Sequence, residues 1–186
     1  IRDRNGYFKI CELLINRRTD VDVTDEDDDC TALWYAAKGG HLQCCQLLMG
    51  KGAKTILDNG KTVLTAAAKS GSLDIFNALL EAGAPLENGS ANTTPLLGAI
   101  DYGHTHIVQR LIELKANLEE KDHIENGPLF FAIRRNKTEI ARLLVEAGAN
   151  PLTEDLISMT PLAIAARYGD VDLLSLMVKK GVRLNR

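Results

Sequence analysis

Five segments of this chain, Thr31-Ala-Leu, Thr62-Val-Leu, Thr94-Pro-Leu, Gly127-Pro-Leu and Thr160-Pro-Leu, begin 31, 32, 33 and 33 residues apart. A repeat of this length means that one supersecondary unit is copied along the chain, each copy too small to bury its own apolar face, so that stability comes from stacking on its neighbours. Five residues after each start stands an alanine: Ala36, Ala67, Ala99, Ala132 and Ala165. Nine residues after it stands Gly40, Gly71, Gly103, Asn136 or Gly169. Gly and Asn tolerate the left-handed backbone that ends helices, so this column predicts the stop of a short first helix.

Further along each unit, apolar residues recur at helical spacing, as in Ile75, Phe76, Leu79, Leu80 or Ile140, Leu143, Leu144. The run closes on Gly52-Ala53, Gly83-Ala84, Gly148-Ala149 or Gly181-Val182, which predicts a second helix and its stop. Leu14, Leu48, Leu79, Leu111, Leu144 and Met177 form one column suited to a continuous core. Polar, turn-rich stretches such as 57–61 and 87–93 join the units, too short to be domain linkers and suited to hairpin turns. Extended turns are expected at about residues 20–30, 54–62, 86–94, 119–127 and 152–160. Thr-Pro is itself a start signal, because proline in the first turn loses no hydrogen bond and the preceding Thr side chain can cap a free amide.

A unit of turn, Thr-Pro-Leu helix and Gly-Ala-terminated helix resembles the ankyrin repeat over essentially all 186 residues. The resemblance implies an all-α ankyrin-repeat solenoid of helix-turn-helix units with β-hairpin-like connecting turns. It is expected as a single domain over 1–186, with a partial unit at 1–30 and further units at 31–61, 62–93, 94–126, 127–159 and 160–186. Gly6, Cys11, Leu13 and Leu14 fit the truncated first unit. Two columns depart from the family pattern. The usual histidine after Thr-Pro-Leu is replaced by Trp34, Thr65, Leu97, Phe130 and Ala163, which removes a polar network between turns, and Arg18 and Lys115 stand where the second helix wants glycine.

Composition narrows the function. Twenty-two basic and 25 acidic side chains leave a net charge of −3, which gives no general reason to bind nucleic acid or anionic membrane. Apolar runs such as Leu173 to Val178 are far shorter than the roughly 20 residues that span a bilayer, so membrane insertion is not expected. The opening Ile1-Arg-Asp-Arg is no signal peptide and reads as a segment of a longer chain, with flanking repeats or domains expected because the last helix ends in apolar Leu173, Leu174, Leu176, Met177 and Val178. Four cysteines, two of them adjacent, form no disulfide framework, and a reducing cytoplasmic or nuclear setting is expected.

No Gly-x-Ser-x-Gly or phosphate-loop motif is present, so the segment is read as non-catalytic, without cofactor. His41, Cys44 and Cys45 could gather a metal, but the register puts both cysteines in the core, where a thiol behaves as a small apolar group. His104 and His106, two apart, are expected on different sides of a helix, and no metal site is assigned. The acidic run Asp25 to Asp29 lacks the alternating oxygens of a calcium loop and reads as a solvated finger.

In a curved stack, first helices and turn tips line the concave side, where the resemblance places partners. By register the exposed positions there include Tyr35, Lys38, Lys69, Ser70, Asp101, Tyr102, Arg134, Arg135, Arg167 and Tyr168, with Ile124, Leu156 and Ile157 at tips. Phe131 belongs with them, and of the four aromatics Trp34, Tyr35, Phe130 and Phe131 two are expected in the core. Arg with aromatic and apolar residues suits a protein or peptide partner that is both acidic and apolar. The alternative is recognition of a small anionic ligand or oligonucleotide by the Arg and Tyr residues, with steep salt dependence as its signature.

Overall fold

The computed structural model describes residues 20–87, 94–122 and 124–180. They form ten helices: α1 (Ala32–Lys38), α2 (Leu42–Gly50), α3 (Val63–Ser70), α4 (Leu73–Glu81), α5 (Pro95–Tyr102), α6 (Thr105–Glu113), α7 (Pro128–Arg134), α8 (Thr138–Glu146), α9 (Pro161–Tyr168) and α10 (Val171–Lys180). Extended structure among the described residues is limited to two isolated antiparallel bridges, Thr24 with Thr31 and Ile56 with Thr62, at the necks of hairpin-like turns. The all-α repeat architecture expected from the sequence is the one observed. Gly6, Cys11, Leu13, Leu14 and Arg18, and most of the 86–94 turn, lie outside the described residues.

The chain divides into two compact units, Ile1–Ser90 and Ala91–Arg186. In the first, α1 packs on α2 and α3, α3 on α4, and α2 on α4. In the second, α5 packs on α6 and α7, α7 on α8 and α9, and α9 on α10, while the second helices α6, α8 and α10 stack in sequence. Leu48 and Leu79 in the first unit and Leu111, Leu144 and Met177 in the second are buried, as are all five alanines of the first-helix column. Methyl side chains there let neighbouring helices approach closely, and the leucine column fills the space between helix pairs.

The first helices start as their sequences dictate. The Oγ1 atoms of Thr31, Thr62, Thr94 and Thr160 accept hydrogen bonds from the amides of Trp34 (3.4 Å), Thr65 (3.2 Å), Leu97 (3.2 Å) and Ala163 (3.1 Å). Gly127 supplies no side-chain cap to α7, which relies on Pro128 in its first turn. Thr65 keeps one polar contact in the column that lost histidine: its hydroxyl lies 2.8 Å from that of Thr62.

The stops also follow the sequence. Asn136 adopts φ 55°, the left-handed turn that glycine makes elsewhere in the column. Gly103, at φ 77°, holds a left-handed backbone that a side chain would strain, whereas the Lys137 ammonium 2.9 Å from a Cβ there could swing aside. Lys115 takes φ 59°, so the chain turns left-handed there without glycine, at a cost in backbone strain.

Candidate interaction surface

Each of the described tips at 20–30, 54–62, 119–127 and 152–160 is a short turn held by its own side chains. In two of them an aspartate folds the turn: Asp122 Oδ1 accepts from the amides of Ile124 and Asn126, both 2.9 Å, and Asp155 Oδ1 from those of Ile157 (3.0 Å) and Met159 (2.8 Å). Asp25 does the same with the amides of Asp27 (3.1 Å) and Asp28 (2.6 Å). Two places before four of the five repeat starts, the ones where that position is described, the backbone is left-handed, at Asp29, Gly60, Glu125 and Ser158, and only one of these is glycine. Because the carboxylates satisfy the turn from within, the intervening side chains are turned outward.

Adjacent tips are tied together. Lys121 Nζ donates to the Glu154 carbonyl at 3.0 Å, and Glu119 accepts from the Asn150 amide at 2.7 Å and the Thr153 hydroxyl at 2.8 Å. In the first unit, Asn59 and Lys61 donate to the backbone carbonyls of Asp28 and Asp29. Within each compact unit, then, these two neighbouring tips hold one another in register, and what stands on them is a fixed surface.

On these tips Leu156 is 66% and Ile157 77% exposed, with Ile124 at 41%. These apolar residues face solvent and are not packed under the neighbouring turn. Leu152, 47% exposed, joins them. The sequence reading missed it because it follows Asn-Pro at the base of the turn, where no register rule marks it as outward.

Among the cations, Arg134 and Arg167 are exposed at the ends of α7 and α9, and Tyr168 beside Arg167 is 61% exposed. The Arg134 guanidinium lies 5.9 Å from the Phe130 ring centroid. Arg135 is exposed, as the register implies, and also paired: its Nη2 is 3.1 Å from Asp101 Oδ1, and its guanidinium sits 4.9 Å over the Phe131 ring. It stands at the C-cap of α7, and its partner Asp101 lies in the last turn of α5, in the preceding repeat. Phe131 is consequently half-buried.

Tyr102 is exposed and stacked on His104 with centroids 6.2 Å apart. His104 and His106 are not separated as expected: their rings stand 6.0 Å apart, because His104 precedes the first residue of α6 and helical spacing does not yet apply. Among the described residues no group of three or more His, Cys, Asp or Glu side chains is gathered to hold a metal.

In the first unit, Tyr35 and Lys38 are exposed as expected. Lys69 and Ser70 are half-buried instead, because α3 is buried from Val63 to Ala68 and its small Ala66, Ala67 and Ala68 let α1 and α4 close over it. Trp34 is half-buried, edge-on to Tyr35, with the ammonium groups of Lys38 and Lys61 at 4.7 and 5.8 Å from its ring. Of the four aromatics expected to divide evenly, only Phe130 is in the core. The reason is that Trp34 and Phe131 are each covered by a cation and not by helix.

The acidic finger is partly structural. Backbone amides, that of Asp28 above all, hold the Asp25 carboxyl below its usual range. The Tyr35 hydroxyl lies 3.5 Å from Asp28 Oδ2, and its pKa is pushed up to about 12, first by hydrogen bonding to Asp25, then by burial and the charges of Asp25 and Asp28. Cys30, Cys44 and Cys45 are buried and not joined in disulfides, and burial raises the Cys30 thiol against the opposing pull of Lys61.

Comparison with known proteins agrees with this architecture. A family model described as ankyrin repeats, in three copies, matches residues 3–90 and 84–155. The mouse protein fem-1 homolog A-like is 33% identical over 110 residues, 58% of this chain and 17% of that protein. The Caenorhabditis elegans ankyrin repeat and KH domain-containing protein mask-1 is 33% identical over 119 residues, 63% of this chain and 4% of that protein. The chain thus spans less than a fifth of either relative's length. The crystal structure of the human ASB11 ankyrin repeat domain superposes with a TM-score of 0.82 at 27% identity, covering 98% of this chain and 83% of that one.

Proposed function

The chain belongs to the ankyrin-repeat family, whose domains are generally protein–protein interaction modules, and on that premise we infer that it is a non-catalytic scaffold for an acidic, apolar segment of a partner protein. The partner lies along the tips and first-helix ends of the second compact unit. The observation that carries this reading is the exposure of Leu156 and Ile157, 66% and 77%, on a tip that Asp155 holds rigid and that leads into the repeat bearing the exposed Arg167 and Tyr168. Large apolar side chains held rigidly in water bury area on contact with little ordering cost. The nearby guanidiniums of Arg167 and Arg134 fork onto carboxylates and set the orientation of the segment.

Residues at the same register in the first unit, Lys38 and Lys69, are cationic as well, and the negative member of the column, Asp101, is neutralised by Arg135. A reducing compartment, cytosol or nucleus, is supported by Cys30, Cys44 and Cys45, buried and not joined in disulfides. An array of acidic, apolar peptides probed with the protein and with an Arg134→Glu/Arg167→Glu variant tests the reading. Peptides retained by the protein should be lost by the variant. Equal retention rejects this surface, and selection of purely anionic peptides with steep salt dependence favours a small anionic ligand or oligonucleotide instead.

A further inference from the structure

An asparagine followed by glycine can react with its own backbone, because the glycine carries no side chain to keep its nitrogen away from the asparagine amide carbon. The sequence holds this pair at 5–6, 59–60, 88–89 and 126–127, and the second and fourth lie among the described residues. The structure treats these two differently. Asn126 is 2% exposed, and its Nδ2 donates to Asp122 Oδ2 at 3.2 Å while its backbone amide donates to Asp122 Oδ1 at 2.9 Å. Asn59 stands exposed on the tip at 54–62. Its Oδ1 accepts from the Lys61 amide at 2.9 Å, which stabilises negative charge developing on that oxygen. Its Nδ2 donates to the Asp28 carbonyl at 3.3 Å, and the Lys61 ammonium donates to the same oxygen at 2.6 Å. A cation thus meets the amide nitrogen at one acceptor. The attacking atom, the Gly60 nitrogen, is held by a single turn hydrogen bond to the Leu57 carbonyl at 2.9 Å.

We propose that Asn59 is a deamidation site, and that its conversion releases the acidic finger from the tip that follows it. The Gly60 nitrogen bonds to Asn59 Cγ, the Cγ–Nδ2 bond breaks, and ammonia leaves with the proton the Gly60 nitrogen gives up. Water then opens the cyclic imide. Opening at Cγ yields aspartate, and opening at the backbone carbonyl carbon yields isoaspartate; neither step oxidises or reduces anything. Asn59 Nδ2 is the donor to both the Asp28 and the Asp29 carbonyls, at 3.3 and 3.0 Å, so a carboxylate in its place loses both bonds and sets oxygen against oxygen. The new charge also falls beside Asp25 to Asp29, which already repel one another. The bonds from the Lys61 ammonium to Asp28 and from the Lys54 amide to Asp22 Oδ1, 2.8 Å, then carry the contact between the two tips.

Peptide mapping by mass spectrometry after ageing at neutral pH tests the site. In the folded protein Asn59 should convert about tenfold or more faster than Asn126, and in urea, where only the shared Asn-Gly pair is left, the two rates should come within about threefold. Hydrogen exchange tests the consequence. Asn59→Asp should speed exchange of the amides at 25–30 by about tenfold, with α7 and α8 unchanged. The deamidated fraction purified from aged protein gives the same comparison without a substitution. Conversion of Asn59 no faster than that of Asn126 in the folded protein overturns the site. Unchanged exchange at 25–30 in both Asn59→Asp and the aged fraction overturns the release of the finger.

Discussion

The guanidinium of Arg135 lies 3.1 Å from the carboxylate of Asp101, one repeat earlier, and rests over the ring of Phe131. With the two side chains 52% and 35% exposed, water screens the pair, and a double-mutant cycle with Asp101→Ala and Arg135→Ala should give a coupling of about 1 kcal/mol or less. The electrostatic consequence is larger than the energetic one. Asp101→Asn leaves Arg135 uncompensated on the candidate surface and should raise the association rate of an acidic segment at low salt, an effect that fades at high salt. Stopped-flow association at two ionic strengths measures it, and an unchanged rate would remove Arg135 from the surface.

The buried column gives a second expectation. Leu111 and Leu144 are 1% and 0% exposed in neighbouring helix pairs, so Leu111→Ala or Leu144→Ala should cost about 2–5 kcal/mol in urea unfolding through lost transfer energy and the cavity left behind. Leu156→Ala, on an exposed tip, should cost about 0.5 kcal/mol or less. Similar losses at all three positions would mean that the column is not the core.

What could be read from the sequence alone was whatever repeats. Thr caps, Gly and Asn stops and the alanine and leucine columns recur, and each has a local cause that acts wherever the residue stands. The tips were legible only in position. Asp122 and Asp155 fold them through their own side chains, and the left-handed residues Glu125 and Ser158 carry no glycine to announce them. The pairing of Arg135 was not legible because its partner, Asp101, lies in another repeat: the register fixes where a residue begins on the surface, not which rotamer it takes. The half-burial of Trp34 and Phe131 was not legible for a related reason, since long cationic side chains cover them.

The strained positions lead to a third expectation. A side chain at φ near 60° costs about 1–2 kcal/mol, offset for glycine by about 0.5–1 kcal/mol of extra unfolded-state entropy. Lys115→Gly, Glu125→Gly and Ser158→Gly should therefore each raise stability by a few tenths to about 1 kcal/mol, whereas Gly60→Ala, at φ 77°, should lower it by about 1 kcal/mol. Denaturant midpoints decide, and a loss on Lys115→Gly would show that the lysine side chain contributes more than its backbone costs.

Tyr35 offers a pH signature. Its pKa of about 12 in the folded chain lies above the ordinary value of 10.0, so the neutral hydroxyl is favoured by folding. The sign follows: its contribution is present below pH 10, falls as the pH rises from about 10 to about 12, and is gone above. Tyr35→Phe should flatten the stability profile in that window and remove the latest step of the tyrosinate absorbance titration. A Tyr35 step near pH 10 would mean that the hydroxyl is not held by the acidic finger.

The final expectation separates the two kinds of group on the candidate surface by kinetics. Arg167 is exposed at the end of α9 and meets a partner's charge while both are still hydrated, so Arg167→Glu should slow association with a retained acidic peptide and flatten its salt dependence. Leu156 and Ile157 contribute only after contact, when their area leaves water. Burying such a side chain is worth about 1.5–3 kcal/mol, against about 0–1 kcal/mol for an exposed ion pair. Ile157→Ala should therefore leave association unchanged and speed dissociation by about tenfold. Phe131→Ala should act more weakly, since Arg135 already covers that ring. Surface-plasmon kinetics resolves the two rates. Should Ile157→Ala alter neither while substitutions in the Asp25 to Asp29 finger abolish binding, the partner docks on the first unit, against the acidic finger beside Tyr35 and Trp34.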